Sequence, residues 1–249
     1  MLILRRYGRS SRDYNEIRTE GVLRMVTEYN LSGYFESGDT LAGFQYELSR
    51  AISEIAGLEV QIELEMSLAE SFKGLKNRKY DVIARNISIT SEIKENYLFT
   101  DPVVLDKQVL IQRKTNDSIP LVRNQLELAQ KTIYIPTHSV ALLRIQNLQH
   151  EIGDTIYVVK AGQFSSEQLI GMVNEGDIDY AVCDYQIATI AKKQFPEIDI
   201  ETDISFMQLQ SWAVRKESVV LLDSLNSWFR QMRDSRLFND IYARYYGGF

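Results

Sequence analysis

The chain alternates between short apolar runs of β type and stretches whose apolar residues recur at helical spacing. Runs at 22–27, 60–65 and 81–84 predict strands, and the stretch 44–55 predicts a helix between the first two. Strands and helices in this order, with short connections, indicate a parallel sheet with right-handed crossovers. We therefore expect residues 21–100 to form one α/β lobe.

The same alternation begins again after Pro120. Apolar runs at 132–135, 156–159 and 180–183 predict further strands with helices between them, and 209–214 predicts a strand that returns before an amphipathic tail. The predicted fold class is α/β, with two mixed sheets flanked by helices. A second lobe is thus inserted into the first.

Polar residues cluster where the strand at 81–84 is predicted to leave its sheet. Arg85 and Asn86 stand at this exit, Ser88 follows, and Thr90 is placed to cap a short helix. Open α/β sheets bind ligands at the carboxyl ends of their strands, so these four residues are candidates for a binding rim. The alternative is a strand, a turn and a capped helix with no ligand role.

Three further candidates lie at comparable positions. Glu28 comes just past the first strand, and Asp184 ends the strand at 180–183. The alternative for Asp184 is an N-cap on the following helix. Tyr34 lies in a glycine-rich loop and is a candidate for lining the site, because aromatic rings cover flat ligands well.

Composition narrows the class of protein. With 249 residues, a net charge of −6 and a pI near 5.2, the chain lacks the basic surface that nucleic-acid binding requires. No apolar run approaches membrane-spanning length. The single cysteine, Cys183, excludes an internal disulfide and a multi-cysteine zinc site. Neither His138 nor His150 is paired with a nucleophile, which argues against hydrolytic triad chemistry.

Several stretches carry a resemblance to a known family: VLRMVT at 22–27, GFQYEL at 43–48, the strand at 81–84 with ITSE at 89–92, and LFTDP at 98–102. They resemble the amino-acid-binding family, family 3, of bacterial extracytoplasmic solute-binding proteins, which have the type II periplasmic-binding-protein fold. GDIDYAVCD at 176–184 and KQFPEI at 193–198 are similar, more particularly, to the receptor-like N-terminal module of membrane-bound lytic transglycosylase F. The resemblance covers almost the whole chain after Gly21.

The resemblance implies two lobes with a hinge between them that close around a ligand. Lobe 1 is expected to comprise residues 21–105 and 209–249, and lobe 2 residues 106–208. The basic segment 1–20 is expected to be a linker or tail. Two chain crossings, within 103–108 and 206–210, are the expected hinges.

The resemblance also assigns roles to residues. Asp184 falls where the family holds the ligand's ammonium group with a carboxylate, and Leu68 where an aromatic residue commonly covers the ligand. The backbone N–H groups of Ser139 and Val140 match an anion-facing helix start in lobe 2. The full expected ligand-binding set is Glu28, Tyr34, Leu68, Arg85, Asn86, Ser88, Thr90, Ser139, Val140 and Asp184.

The main departure from the family pattern is Ile93. The family normally has an arginine there, which grips the α-carboxylate of the ligand through two parallel hydrogen bonds, and isoleucine cannot replace it. We therefore expect an acidic ligand larger than a free amino acid, with Arg85 supplying the cation. The alternative is that Arg85 pairs with Glu28 or another acid and only braces the rim.

These features predict an extracytoplasmic solute-binding domain, in the periplasm or cell envelope, for an amino-acid-like, peptide or muropeptide ligand. Its expected partners are an ABC permease or a peptidoglycan-cleaving module, and we expect no nucleic-acid partner, cofactor, metal or catalytic residue. One alternative is the ligand-sensing regulatory module of a lytic murein transglycosylase whose catalytic domain is absent from this chain. The other is a dehydratase-type enzyme on the same fold, with Glu28 and Asp184 as acid and base.

Overall fold

The computed structural model of the chain describes residues 12–114, 120–137, 139–162 and 164–247, so His138 lies outside the described residues. The helices are α1 (Tyr14–Glu20), α2 (Phe44–Ala56), α3 (Leu68–Lys76), α4 (Ser91–Asn96), α5 (Ala141–Ile152), α6 (Ser166–Glu175), α7 (Tyr185–Gln194), α8 (Val219–Asp234) and α9 (Leu237–Tyr246), with a 3₁₀ turn at Gln125–Leu128. The strands are β1 (Val22–Thr27), β2 (Phe35–Ser37), β3 (Thr40–Ala42), β4 (Glu59–Leu64), β5 (Val82–Ser88), β6 (Tyr97–Phe99), β7 (Val104–Asp106), β8 (Gln108–Arg113), β9 (Thr132–Pro136), β10 (Tyr157–Ala161), β11 (Ala181–Asp184), β12 (Ile198–Asp199) and β13 (Gln208–Arg215).

These elements divide into two compact units. Unit 1 contains the described residues of 12–28, 44–103 and 211–247, and unit 2 contains those of 29–43 and 104–210. Apart from the segment 29–43, the chain enters unit 2 after residue 103, within the expected crossing 103–108, and leaves it after residue 210, at the end of the expected crossing 206–210. That these crossings act as hinges stays a prediction.

The segment 29–43 was expected to belong to lobe 1, but it groups with unit 2. The backbone N–H of Leu31 donates to a carboxylate oxygen of Glu167 at 3.0 Å, across 136 positions of sequence. Such a long-range bond leaves no trace in local periodicity.

The sheet of unit 1 has the order β4-β1-β5-β13-β6. As the alternation predicted, β1 pairs in parallel with both β4 and β5. Leu23, Met25 and Val26 are fully buried in β1, which explains why this short apolar run forms an inner strand. The carboxyl ends of β1 and β5 consequently point the same way.

Strand β5 is longer than the sequence predicted. It was expected to leave the sheet at Arg85 and Asn86, but it continues to Ser88. Both polar side chains find hydrogen-bond partners within unit 1, so they remain in the strand without a desolvation penalty.

The segment expected to be a linker or tail, residues 1–20, differs from that expectation in its described part. Asp13 and Glu16 form a reciprocal capping box at the start of α1, and Ile17 is fully buried. Arg12 donates to the carboxylate of Asp81 at 2.8 Å. Residues 12–20 are therefore packed as part of unit 1.

Asp81 is the centre of a buried charge cluster in unit 1. Its side chain is fully buried and accepts hydrogen bonds from Arg12 and, at 3.0 Å, from Arg215. It also accepts from the backbone N–H of Arg24 at 3.2 Å. One carboxylate thus holds two guanidinium groups that are distant in sequence.

Unit 2 contains a sheet of order β10-β9-β11-β8-β12 with a hydrophobic core on each face. Along β8, Val109 and Ile111 face the core built with α6 and α7, and Leu110 faces the core built with α5. This period of two places helices on both sides of the sheet, which confirms the predicted α/β class. Within the described ranges, no helix has the length and hydrophobicity needed to cross a membrane.

We expect Asp81→Asn to lower the free energy of unfolding by about 3–5 kcal/mol, because the buried Arg215 and the partly buried Arg12 lose this carboxylate. Urea unfolding measures this change. The matched control is Asp101→Asn, which removes an exposed ion pair with Arg230 and should cost less than about 1 kcal/mol. Equal losses in the two variants would show that the cluster does not stabilise unit 1.

Candidate functional site

The carboxyl ends of β1 and β5 bring two of the predicted site residues together in unit 1. Glu28 directly follows β1, and its carboxylate accepts a hydrogen bond from the guanidinium of Arg85. Arg85 also donates to the backbone carbonyls of Glu65 and Met66, at 3.2 and 3.4 Å. The arginine is 8% exposed. Of the two roles considered for Arg85, the structure shows the ion pair with Glu28.

Asn86 takes part in a hydrogen-bonded chain inside unit 1. Its amide donates to the Tyr246 hydroxyl at 3.1 Å and accepts from Gln45 at 2.6 Å. Gln45 in turn accepts from the indole N–H of Trp212 at 2.6 Å. These bonds join β5 to α2, α9 and β13, which gives Asn86 a structural role that its position in the sequence did not indicate.

The other predicted residues of unit 1 surround the start of α4. Thr90 is the N-cap, and its hydroxyl accepts from the backbone N–H of Ile93 at 3.4 Å, as the capped-helix interpretation predicted. Ser88 is half-buried at the end of β5. Leu68 and Ile93 both pack against the cluster that contains Leu75. Position 93 therefore presents apolar surface in this chain.

Asp184 is held at the end of β11 in unit 2. It stands opposite Gln108 of β8 in the antiparallel register, and the Gln108 amide donates to its Oδ1 at 2.5 Å. Although Asp184 occupies the N-cap position of α7, its side chain makes no capping hydrogen bond. Its carboxylate is directed to Gln108 instead of to the helix that follows.

A second carboxyl group, Asp106, lies near Asp184. Asp106 is 1% exposed, and burial raises its pKa to about 8, with the negative charge of Asp184 as the next cause. The backbone N–H groups of Lys107 and Gln186 act in the opposite direction. The pair therefore binds a proton at a pH where two separate aspartates would both be ionised.

Sequence analysis missed Asp106 and Gln108. Both lie in the extended run 103–112, which is apolar on either side of Asp106, Lys107 and Gln108. Polar residues in the middle of a buried run are a signal, because burying them requires specific partners. That signal does not by itself identify Asp184 as the partner.

The remaining predicted residues of unit 2 are engaged locally. The Ser139 N–H donates to the Pro136 carbonyl at 3.0 Å, and its hydroxyl accepts from the Ala141 N–H at 3.1 Å. In the loop 29–43, the carbonyl of Tyr34 accepts from the backbone N–H of Asn30 at 3.1 Å. Val140, at the N-cap of α5, is 43% exposed. The expected anion site at this helix start therefore has at least one N–H already committed.

The described residues of unit 2 offer carboxylate oxygens as hydrogen-bond acceptors. Among them, no group of three or more His, Cys, Asp or Glu side chains has the arrangement of a metal site. Cys183 is buried, and burial raises the pKa of its thiol well above the usual value, so that it is not a nucleophile at neutral pH. Asp106 and Asp184 supply acceptor oxygens for ammonium or guanidinium groups.

Residues 23–248 match the model of the bacterial extracellular solute-binding proteins, family 3. The chain belongs to this family. Its resemblance to the family, recognised from the sequence, is thereby confirmed, and its function is that of a solute-binding domain.

One relative of this family 3 domain is the membrane-bound lytic murein transglycosylase F of Desulfosudis oleivorans. It is 28% identical over 240 residues, which are 96% of this chain and 52% of the relative. The transglycosylase F of Pseudomonas fluorescens is 26% identical over 237 residues, which are 93% of this chain and 47% of that protein. The chain thus spans about half the length of the curated relatives it matches.

A solved structure, an ancestral arginine-binding protein bound to arginine, matches the family 3 domain with a TM-score of 0.79. It is 26% identical, over 91% of this chain and 99% of the other. An ancestral amino-acid-binding protein, a precursor of cyclohexadienyl dehydratase, matches with a TM-score of 0.81 at 19% identity, over 93% and 98% of the two chains. These likenesses confirm the predicted two-lobed, type II periplasmic-binding-protein fold.

Because Arg85 is paired in this structure, we expect Arg85→Met to lower the free energy of unfolding by about 2–4 kcal/mol in the absence of ligand. Chemical denaturation measures the loss. The control is Arg244→Met, which removes an ion pair with Glu47. The Arg244 side chain is 56% exposed, so this change should alter the free energy of unfolding by less than about 1 kcal/mol. If Arg85→Met has the same free energy of unfolding as the parent chain, the structural role of Arg85 is contradicted and a ligand-binding role is favoured.

The folded-state pKa of Asp106 lies above its unfolded value, so the native state holds the extra proton. The free energy of unfolding should therefore fall as pH rises from about 4 to about 8. Asp106→Asn should flatten this part of the stability profile. Urea unfolding at a series of pH values measures both curves, and parallel slopes would contradict the assignment.

Proposed function

We propose that this family 3 domain acts in the periplasm or at the cell envelope and binds a small polar solute through a cationic group held by Asp184. The observation that carries the proposal is the orientation of this carboxylate. Asp184 makes no capping bond with its side chain and is fixed by Gln108 beside the buried Asp106. Charge-assisted bonds from an ammonium or guanidinium group match such an acceptor.

The expected partner of the ligand's carboxylate differs between this chain and the family pattern. Ile93 packs in an apolar cluster, and Arg85, the basic member of the expected site, is paired with Glu28. Burying an unpaired carboxylate against these residues would be costly. The support from Arg85 for an acidic ligand is therefore lost, and we propose a ligand with a free amine and a blocked α-carboxylate, such as a peptide.

Asp184→Ala should weaken binding of a cationic probe by about 2–5 kcal/mol, because the buried cation loses its partner. Isothermal titration with L-argininamide and L-arginine tests the role of Asp184 and the blocked α-carboxylate. We expect L-argininamide to bind more tightly than L-arginine. Asp177→Ala, an exposed aspartate of unit 2, is the control and should leave affinity unchanged. Equal affinity of Asp184→Ala and the parent chain would remove Asp184 from the site, and tighter binding of arginine than of its amide would overturn the blocked carboxylate.

A second candidate is a ligand-sensing module of a lytic transglycosylase. The relatives named transglycosylase F are about twice as long as the matched region, which supports a module that works beside another domain. Dehydratase chemistry has less support, since Glu28, its proposed acid or base, is ion-paired with Arg85. We propose that this chain by itself is not an enzyme.

This chain should release no muropeptides from purified peptidoglycan. Glycoside cleavage requires a positioned carboxylic acid with a second carboxylate across the scissile bond, whereas we assign the carboxyl groups of Asp106 and Asp184 to a cationic group of the ligand. Chromatography of the soluble fraction after incubation provides the measurement, with a muramidase as positive control. Release above the buffer level would show a lytic activity in this chain.

A further inference from the structure

Three acidic side chains of unit 2 lie within electrostatic range of one buried thiol. The charges of Asp184, Glu167 and Asp106 each raise the pKa of Cys183, after burial as the main cause. Asp106 comes from β7, Asp184 from the end of β11, and Glu167 from the first turn of α6. Three separate elements thus bring carboxyl groups near one thiol, and among the three Asp106 is buried whereas Asp184 and Glu167 are half-buried.

Lys107, the lysine next to Asp106, forms an ion pair with a different acid, Asp203. Lys107 follows Asp106 in the chain, but its ammonium group pairs with Asp203 at 2.6 Å and lies 5.1 Å from the ring centre of Tyr185. On the other sides, Asp106 faces Gln208 in the strand register and the N–H of Gln186. These two neighbours of Asp106 are neutral, and Lys107 is a cation that lowers its pKa.

The side chain of Gln108 provides independent evidence that a ligand binds beside Asp184. It is 5% exposed, and its amide nitrogen donates to Asp184. Its amide oxygen is buried and has no donor among the described residues. A buried acceptor without a donor is unfavourable, and an N–H group of a ligand bound beside Asp184 would satisfy it.

We propose that Asp106 carries a proton in the ligand-free protein and releases it when a cationic group of the ligand binds at Asp184. The O–H bond of the Asp106 carboxyl group breaks, its proton passes to the buffer, and the ligand's positive charge compensates the second carboxylate. The inference rests on the proposed function, in which Asp184 binds a cation. It adds a positioning residue, Asp106, and couples binding to pH.

The proton on Asp106 is testable without any ligand. In infrared difference spectra of the free protein, a protonated-carboxyl band at pH 6 should disappear in Asp106→Asn and should titrate away as pH rises past about 8. A carboxylate already ionised at pH 6 overturns the inference while leaving the proposed function intact. Asp179→Asn, an exposed aspartate paired with Arg113, is the matched control and should keep the band.

The coupling is tested by titration calorimetry with L-argininamide in buffers of different ionisation enthalpy. We expect release of close to one proton per ligand at pH 6, and an affinity that rises by up to about tenfold per pH unit below pH 8. In Asp106→Asn both effects should vanish although the probe still binds, whereas Asp179→Asn should retain both.

Binding without proton release, or an unchanged pH slope in Asp106→Asn, overturns the coupling alone. Failure of argininamide, arginine and a dipeptide to bind the parent chain overturns the proposed function, and the coupling with it.

Discussion

Unit 1 depends on the buried carboxylate of Asp81. Arg12 precedes α1, Arg215 ends β13, and Asp81 immediately precedes β5, so one side chain joins the start of the described chain and the last strand to the middle of the sheet. Burying three charged groups is favourable only when their geometry is nearly ideal. The contacts at 2.8 and 3.0 Å, with a further backbone N–H, satisfy that condition.

The acidic side chains of the two units have different hydrogen-bond partners. In unit 1, Asp81 and Glu28 each face a guanidinium group. In unit 2, Asp106 and Asp184 are held by backbone N–H groups and an amide, while the nearest lysine is shared with Asp203. Paired acids stabilise a fold, whereas two neighbouring carboxyl groups raise each other's pKa and favour a positively charged ligand. This contrast is why we assign the cation-binding role to unit 2.

Arg85 shows how one residue type supports two roles. An arginine at the end of an inner strand suits a ligand carboxylate as well as it suits a neighbouring acid. Here β1 and β5 are adjacent and parallel, and Glu28 follows β1 directly, so the acid of the same unit takes the guanidinium. The loss of the usual arginine at position 93 is therefore not repaired by Arg85 in this structure.

Local patterns in the sequence were sufficient for the α/β class, the parallel order around β1, the cap at Thr90 and the strand that ends at Asp184. These depend on periods of two and 3.6 residues and on single-turn hydrogen bonds, which are properties of neighbouring residues. The family was also recognisable from quoted motifs. The burial of residues 12–20, the Asn86 chain and the Gln108–Asp184 hydrogen bond were not, because they depend on partners 41 or more positions away in sequence. Only the tertiary structure decides which charge meets which, since the energy of a buried ion depends on its three-dimensional surroundings and not on its neighbours in the chain.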